Sequence, residues 1–177
     1  MNYLAIIDKY YQKDTPLYNI FLSHSISVKN KALNIARRHS LDVDLQFVEE
    51  ASMLHDIGVF LTYAPLIHCF GSHRYIEHGY LGAEILRKEG YPKHALVCER
   101  HTGTGLSLED ILQRNLPLPH RDMMPVSLEE QLICYADLFF SKTRLESEAT
   151  LDALQQKVAL WGEKSLNTFK KWLNMFE

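Results

Sequence analysis

His55-Asp56-Ile57-Gly58 is the stretch around which the rest of the sequence can be understood. A histidine followed directly by an aspartate offers an imidazole nitrogen and a carboxylate oxygen to one divalent metal. The apolar pattern before it predicts a helix from about Asp44 to Ile57, with Gly58 as its C-terminal stop. Asp56 then lies in the last helical turn, where the negative end of the helix dipole disfavours a carboxylate. A bound cation would reverse that effect.

Four more residues with metal-binding side chains lie on separate predicted helices: His24, His78, His101 and Asp137. His24 shares the apolar stripe of a helix that includes Leu17, Phe21 and Val28. A lone histidine on such a stripe is more often a core or cleft residue with one hydrogen bond. Asp137 lies on an apolar stripe too, where a carboxylate is costly without a cation or several donors. A buried salt bridge or a helix cap would also explain it.

The two histidines between the His-Asp pair and Asp137 have glycine neighbours. His78 lies on a helix predicted from Tyr75 to Glu89, and Gly82 shares its face. Because glycine weakens a helix by about 1 kcal/mol, close approach of another helix or of a ligand would explain Gly82; a loosened helix start is the alternative. His101 precedes Thr102-Gly103-Thr104-Gly105, which could lie against a substrate phosphate or merely end the helix.

Together the six residues suggest a metal site in the centre of a helical bundle. Each predicted helix contributes one inward ligand or one adjacent pair, as metal sites in bundles are built. Mixed imidazole and carboxylate ligands suit Mn, Fe, Co, Ni or Zn. We therefore expect one or two divalent transition metals to be bound by His24, His55, Asp56, His78, His101 and Asp137.

The fold class predicted from the whole chain is all-α. Its 177 residues are 46% hydrophobic and 23% charged, typical of one globular domain. Nearly every segment has helical spacing, and no strand alternation of useful length is visible. A capping box at 127–130 predicts a helix that continues through Asp137 to about Thr143. Two amphipathic segments between Thr150 and Phe176 are expected to pack outside the site, on the core or in a homodimer. The connections 60–72 and 116–126 are expected to form the pocket rim.

Charge and cysteine content exclude some classes of protein. The net charge is −3, and without a basic stripe no dedicated nucleic-acid surface is expected. Three cysteines without a CxxC spacing indicate a reduced, intracellular protein. The N-terminal segment lacks the pattern of a signal peptide, and no apolar run reaches membrane-spanning length. We therefore predict a cytoplasmic protein without a membrane partner.

The order of these residues resembles the HD superfamily of metal-dependent phosphohydrolases, and residues 55–58 look like its HDIG signature. The resemblance runs from about Ser23 to Lys142 and is closest to small stand-alone HDIG proteins. The sequence segments that this chain shares with those proteins are residues 78–87, residues 99–105, and Leu128-Glu129-Glu130-Gln131 followed by Tyr135-Ala136-Asp137. It implies a single HD domain over residues 1–177, with an HD core at about 17–143 and C-terminal packing helices at about 147–176.

The resemblance also implies roles for the six residues. His24, His55, Asp56 and Asp137 would hold one metal, and His78 and His101 would add a second. Asp56 would bridge both metals, which makes it the expected catalytic residue. The cyclic-dinucleotide phosphodiesterase branch has a lysine directly after its HDIG signature, whereas this chain has Val59. That departure argues against membership of that branch.

The function that follows is hydrolysis of a phosphoester or phosphoanhydride in a nucleotide-like small molecule by metal-activated hydroxide. Four cations close in sequence are candidates for binding the phosphate of this small phosphorylated substrate: Arg100, His73, Arg74 and Lys142. Two alternatives remain open. A di-iron HD-type oxygenase would use the same six ligands, and a non-catalytic nucleotide-binding HD module would need none of them.

Overall fold

A computed structural model describes the backbone of residues 1–177 and every side chain except that of Glu146. The chain is 62% helical, so the all-α prediction is confirmed. The helices are α1 (Tyr3–Tyr10), α2 (Pro16–Arg38), α3 (Leu45–Leu54), α4 (His78–Lys88), α5 (Pro92–Arg100), α6 (Leu108–Gln113), α7 (Leu128–Asp137), α8 (Leu151–Ala159) and α9 (Glu163–Phe176). Short 3-10 helices span Val59–Leu61, Pro65–Ile67 and Tyr75–Glu77.

Side-chain caps fix where several of these helices begin. Thr15, Asp44, Ser127 and Thr150 each accept a hydrogen bond from a backbone N–H in the first turn of the helix that follows, which satisfies a donor that the helix itself cannot. The capping box predicted for α7 is only half formed. The carboxylate of Glu130 accepts from the backbone N–H of Val126 at 2.8 Å and turns away from Ser127.

Two large apolar clusters hold the helices together. One joins α2 and α7 to the C-terminal helix and includes Val28, Tyr135 and Trp172. The other lies beneath α1, α3 and α4 and includes Phe21 and Leu54. Full burial of each large apolar side chain contributes roughly 1.5–3 kcal/mol. Both clusters include residues of α2 and α3. Packing on two sides therefore fixes the backbone that carries His24 and His55.

Glycines allow α4 to lie directly against the 55–58 turn. A Cβ atom added at Gly58 would lie 2.3 Å from the carbonyl oxygen of His78 and 2.4 Å from the backbone nitrogen of Gly82. One added at Gly82 would lie 2.5 Å from Sγ of Cys98. Close helix approach, one of the two explanations offered for Gly82, is therefore what the structure shows. It brings His78 to the His-Asp pair.

Two small hairpins interrupt the helical pattern and correct the predicted boundaries. Strands β1 (Tyr63–Ala64) and β2 (Cys69–Phe70) pair within the 60–72 connection, and β3 (Phe140–Ser141) pairs with β4 (Arg144–Glu148). The prediction that α7 continues to about Thr143 was therefore wrong, and α3 ends at Leu54 rather than Ile57. Strands this short carry too few residues to show the period-two pattern.

None of the helices in the described part of the chain combines the length and the hydropathy that crossing a membrane requires.

Candidate metal centre

The six residues predicted as metal ligands converge in the structure. His24 lies in the middle of α2, His55 and Asp56 lie in the turn after α3, and His78 is the first residue of α4. His101 directly follows α5, and Asp137 ends α7. Their side chains form two adjacent sets that share one aspartate. The first set is His24, His55, Asp56 and Asp137, and the second is Asp56, His78 and His101.

The first set has four donor atoms around one point. Nε2 of His24 lies 3.1 Å from Oδ2 of Asp56 and 3.0 Å from Oδ1 of Asp137. Nε2 of His55 lies 3.1 Å and 3.4 Å from the same two oxygens. These spacings match the separation of about 3.4 Å expected between ligands of a tetrahedral ion with metal–ligand distances of about 2.1 Å.

The second set uses the other oxygen of the shared aspartate. Oδ1 of Asp56 lies 3.3 Å from Nε2 of His78 and 3.4 Å from Nε2 of His101. The two histidine nitrogens are 3.0 Å apart. Asp56 thus presents one carboxylate oxygen to each set, which is the arrangement of a residue that bridges two metals.

Backbone hydrogen bonds fix the tautomer of three of the histidines. His55, His78 and His101 each donate from Nδ1 to the carbonyl oxygen of the residue three positions earlier, at 2.7, 2.6 and 2.7 Å. When such a ring is neutral, its proton therefore resides on Nδ1, and Nε2 can offer a lone pair to the centre, as in metal-bound imidazoles. Two such lone pairs at 3.0 Å repel each other unless a cation lies between them.

The carboxylates of the centre lack donors of their own. Among the described residues, both carboxylate oxygens of Asp56 and Oδ1 of Asp137 are buried and receive no hydrogen bond with acceptable geometry. Lys142 lies 2.5 Å from Oδ2 of Asp56 as an ion pair. Buried carboxylates at the C-terminal ends of helices are costly without counter-charge. The donor set therefore fits one or two divalent metal ions.

The pKa values of the centre follow from the same charges. Burial opposes ionisation of Asp56, but Lys142 and His55 hold its pKa well below the usual range. Burial also opposes the charged form of His55, yet Asp56 and Asp137 raise its pKa to about 10. Burial lowers the pKa of His78 to about 3, so this imidazole is neutral. The carboxylates of the first set attract a cation, and His78 offers a neutral nitrogen ligand to the second set.

Two tyrosines that sequence reasoning missed support the centre. The hydroxyl of Tyr11 donates to the carbonyl oxygen of Ile57 at 3.1 Å and approaches that of Asp56 at 3.4 Å, which ties down the metal-binding turn. The ring of Tyr75 stacks on the imidazole of His78 with centroids 4.7 Å apart. Neither tyrosine belongs to a motif; Tyr11 is buried whereas Tyr75 is exposed, and their contacts with the metal-binding turn and with His78 depend on tertiary structure.

A pocket of about 340 Å³ opens at the second set. His78, His101 and Asp137 line it, whereas His24 and His55 lie behind them. The rest of the wall comes from the 3-10 helix before α4, the turn after α5, α6, the end of α7, the β3–β4 turn and the C-terminal helices: Tyr75, Ile76, Thr102, Gly103, Thr104, Gly105, Leu106, Asp110, Arg114, Leu138, Lys142, Lys157, Trp161 and Ser165.

This wall corrects two expectations about the pocket. The C-terminal helices do not pack wholly outside the site, because Lys157, Trp161 and Ser165 line the pocket. Residues 116–126 are not part of the described wall, whereas residues 64–67 of the other predicted rim line an adjoining pocket of about 400 Å³. An amphipathic pattern shows that a helix face is covered and does not show what lies at its ends.

The four predicted phosphate-binding cations are placed very differently. Lys142 lines the pocket beside Asp56. Arg100 forms an ion pair with Glu130 at 2.9 Å, and His73 pairs with Glu77. Neither they nor the exposed Arg74 belong to the pocket wall as described. For Arg100, His73 and Arg74 the predicted contact with phosphate gains no support from these positions.

Comparison with known proteins gives matches to a family model and to curated relatives. The family model described as HD domain matches residues 21–140. An uncharacterized protein of Methanocaldococcus jannaschii is 33% identical over 142 residues, which cover 77% of this chain and 76% of that protein. No solved structure matches the chain.

Two further relatives carry the name tRNA (cytidine(56)-2'-O)-methyltransferase. The protein from Thermoplasma volcanium is 31% identical over 138 residues, 77% of this chain but 36% of that protein. The one from Picrophilus torridus is 30% identical over 128 residues, 72% of this chain and 33% of that protein. The chain thus spans about a third of the length of these two relatives.

Proposed function

This chain belongs to the HD domain family, and we propose that it is a metal-dependent phosphohydrolase that cleaves a phosphoester or phosphoanhydride of a nucleotide-like small molecule. The observation that carries the proposal is the position of Asp56. Its two carboxylate oxygens face two different histidine sets, as a dinuclear hydrolytic centre requires. The named activity of the two methyltransferases belongs to proteins about three times longer than the matched segment, and we do not extend it to this chain.

The residues of the chain divide the work between holding metals and receiving substrate. One or two divalent transition metals held by the two sets would supply, when bound, a water of lowered pKa and positive charge opposite the phosphoryl oxygens. Asp56 fixes the spacing of the two sets. The backbone carbonyls that accept from Nδ1 keep the histidine rings oriented, so the donor atoms need no rearrangement before the reaction.

The pocket determines from which side substrate reaches the centre. His78, His101 and Asp137 line it, whereas the first set is otherwise buried behind them. A phosphoryl group therefore enters from the side of the second set. Lys142 and Lys157 belong to the same wall and supply positive charge for the phosphate oxygens, a role that a lysine fills as a point charge.

Metal content and phosphate release together test this function. The purified protein is analysed for bound metal and then assayed with nucleotides and generic phosphoesters in the presence of that metal. We expect phosphate release that His55→Ala and Asp56→Ala abolish, while His94→Gln, a change of a buried histidine outside the two sets, retains it. If His55→Ala and Asp56→Ala leave metal content and activity unchanged, the proposal is wrong. Bound iron with oxygen uptake and no phosphate release would identify an oxygenase instead.

A further inference from the structure

The two tryptophans of the chain occupy opposite environments. Trp172 is 2% exposed, and its indole N–H donates to Oε1 of Gln131 at 3.1 Å. Trp161 follows α8, is 42% exposed and lines the pocket of the metal centre. The fold uses Trp172 as core. The exposed part of the Trp161 side chain does not contribute to the core. At a pocket wall it instead presents a flat aromatic surface to a ligand.

The backbone between the metal centre and Trp161 is shaped to bring the indole close. Gly103 has a φ of +63°, and a Cβ atom added there would meet the six-membered ring of Trp161 at 3.3 Å. Gly103 follows the metal-ligand candidate His101 by two residues, so their Cα atoms are at most about 7.6 Å apart. The wall is therefore continuous from the second ligand set to the indole, over a distance that a nucleoside monophosphate can span.

Positive charge lies on both sides of this aromatic surface. Nζ of Lys157 is 5.5 Å from the centroid of the Trp161 ring, and Lys142 lies at the metal end of the same wall. A pocket of about 340 Å³ is at the small end of the range for small-molecule sites. This wall therefore complements a ligand that has an anionic group at one end and an aromatic ring at the other.

We propose that Trp161 is a specificity residue on which the base of a nucleoside phosphate stacks while its phosphate faces the metal centre. This inference rests on the proposed function and names the substrate class of the same site. Stacking of a base on an aromatic side chain is tolerant of base identity, so Trp161 selects nucleotides over other phosphoesters without selecting one base. The C-terminal helices then serve substrate selection as well as packing.

The test compares a ligand with a base to one without. The metal-loaded protein is titrated with the non-cleavable 5′-phosphonate analogues of adenosine monophosphate and of ribose 5-phosphate by calorimetry. The variants are Trp161→Leu, which keeps apolar area but loses the aromatic face, Trp161→Phe, which keeps an aromatic face, and Trp172→Phe as the core control. Thermal unfolding of each variant confirms that it folds.

We expect wild-type protein to bind the adenosine analogue more tightly than the ribose analogue, by roughly 5- to 140-fold if one base stacks. Trp161→Leu should lose most of this preference, with affinity for the ribose analogue unchanged, and Trp161→Phe should largely restore it. An equal preference in wild type and Trp161→Leu would overturn the inference, as would a wild-type protein without preference.

Phosphate release, measured in parallel with the cleavable nucleotide, separates this inference from the proposed function. Base-dependent binding that requires Trp161, without phosphate release by the wild type, would support the stacking residue and overturn the hydrolase. Release from nucleotides that is as efficient in Trp161→Leu as in wild type would overturn the stacking residue and leave the hydrolase standing.

Discussion

Nζ of Lys142 lies 2.5 Å from Oδ2 of Asp56, the same oxygen that faces Nε2 of His24 and of His55. The lysine side chain is 11% exposed and is carried by the turn between β3 and β4. Burial opposes its charge, but the carboxylate of Asp56 raises the pKa of Lys142 above its ordinary value. The ammonium of Lys142 thus contacts the oxygen of Asp56 that a metal in the first set would bind, and it competes with that metal.

Replacing Lys142 with methionine is expected to strengthen metal binding and to weaken the metal-free protein. Oδ2 of Asp56 would no longer be shared, and metal affinity should rise by roughly tenfold, the worth of one charge-assisted contact. In the metal-free state a buried carboxylate loses its partner at a cost of about 3 kcal/mol, so Tm should fall by roughly 6–12 °C. Chelator competition measures the first effect, and thermal unfolding with and without chelator measures the second.

Lys157→Met is the matched control for that prediction. Lys157 lines the same pocket but is exposed, and it makes no ion pair with the described side chains. Metal affinity and metal-free stability should both stay at wild-type values. A lower metal affinity in Lys142→Met would contradict the competition and would indicate that the lysine supports the metal-bound state.

Removal of single ligands should reveal two metals. His78→Ala and His101→Ala each take one nitrogen from the second set and leave the first set intact, so metal content should fall from two ions per chain to one. Asp56→Ala removes an oxygen from both sets and should leave less than one. Elemental analysis after dialysis against trace metal gives these numbers. His94→Gln should retain two, and a wild-type content of one would contradict the shared-aspartate arrangement.

Adding one methyl group at Gly58 should disrupt the contact between α4 and the metal-binding turn. In Gly58→Ala the new Cβ would lie 2.3 Å from the carbonyl oxygen of His78, so the backbone must shift and carry the imidazole with it. We expect a loss of about 1–3 kcal/mol together with loss of the second metal. Gly90→Ala, where a Cβ meets no atom within 4 Å, should cost about 1 kcal/mol of strain and keep both metals.

The candidate ligands could be predicted because helices show a clear spacing of apolar residues in the sequence. Apolar spacing located α2, α3 and α7, and Asp56 and Asp137 stood out because a carboxylate at such positions is costly without a cation. The positions of His78 and His101 followed from the same helical reasoning. What the structure adds is the division of these ligands into two sets by the two oxygens of Asp56, which depends on side-chain orientation.

The pocket wall could not be predicted in the same way. The strand Phe140–Ser141 is two residues long, and continuing the helix through it placed Lys142 on a helix instead of on a turn. Trp161 shares the aromatic C-terminal segment with Trp172, yet one lines the pocket and the other is core. Long-range contacts decide such differences, as they do for the hydrogen bond from Tyr11 to the 55–58 turn.

A polar cluster around Glu50, in the middle of α3, is expected to affect stability in acid. Oε2 of Glu50 lies 3.2 Å from Nε2 of His94, and its other oxygen accepts from Gln46 at 2.9 Å and pairs with the amino group of Met1. Burial opposes ionisation of Glu50, but hydrogen bonds from that amino group, Gln46 and His94 lower its pKa below the ordinary 4.5. Burial lowers the pKa of His94 below 6.5, although Glu50 opposes this.

Both shifts predict that acid destabilises the fold, in two separate windows. A group whose pKa is lowered by folding contributes stability above its unfolded pKa, and that contribution is lost as the pH falls toward the folded value. His94 should therefore cause a decline that begins near pH 6.5 and Glu50 a second one below about pH 4.5, each at most about 1.4 kcal/mol per pH unit. Urea unfolding at a series of pH values, in the presence of chelator so that metal loss does not contribute, measures both. His94→Gln should make the upper decline less steep, because His78, whose pKa is also lowered, contributes to the same window. Glu50→Gln should likewise reduce the lower decline, to which Asp56 and Asp137 also contribute, while Glu49→Gln, a change of the neighbouring carboxylate, should alter neither. Stability that rises on acidification from pH 6.5 to 5.5 would contradict the assignment to His94.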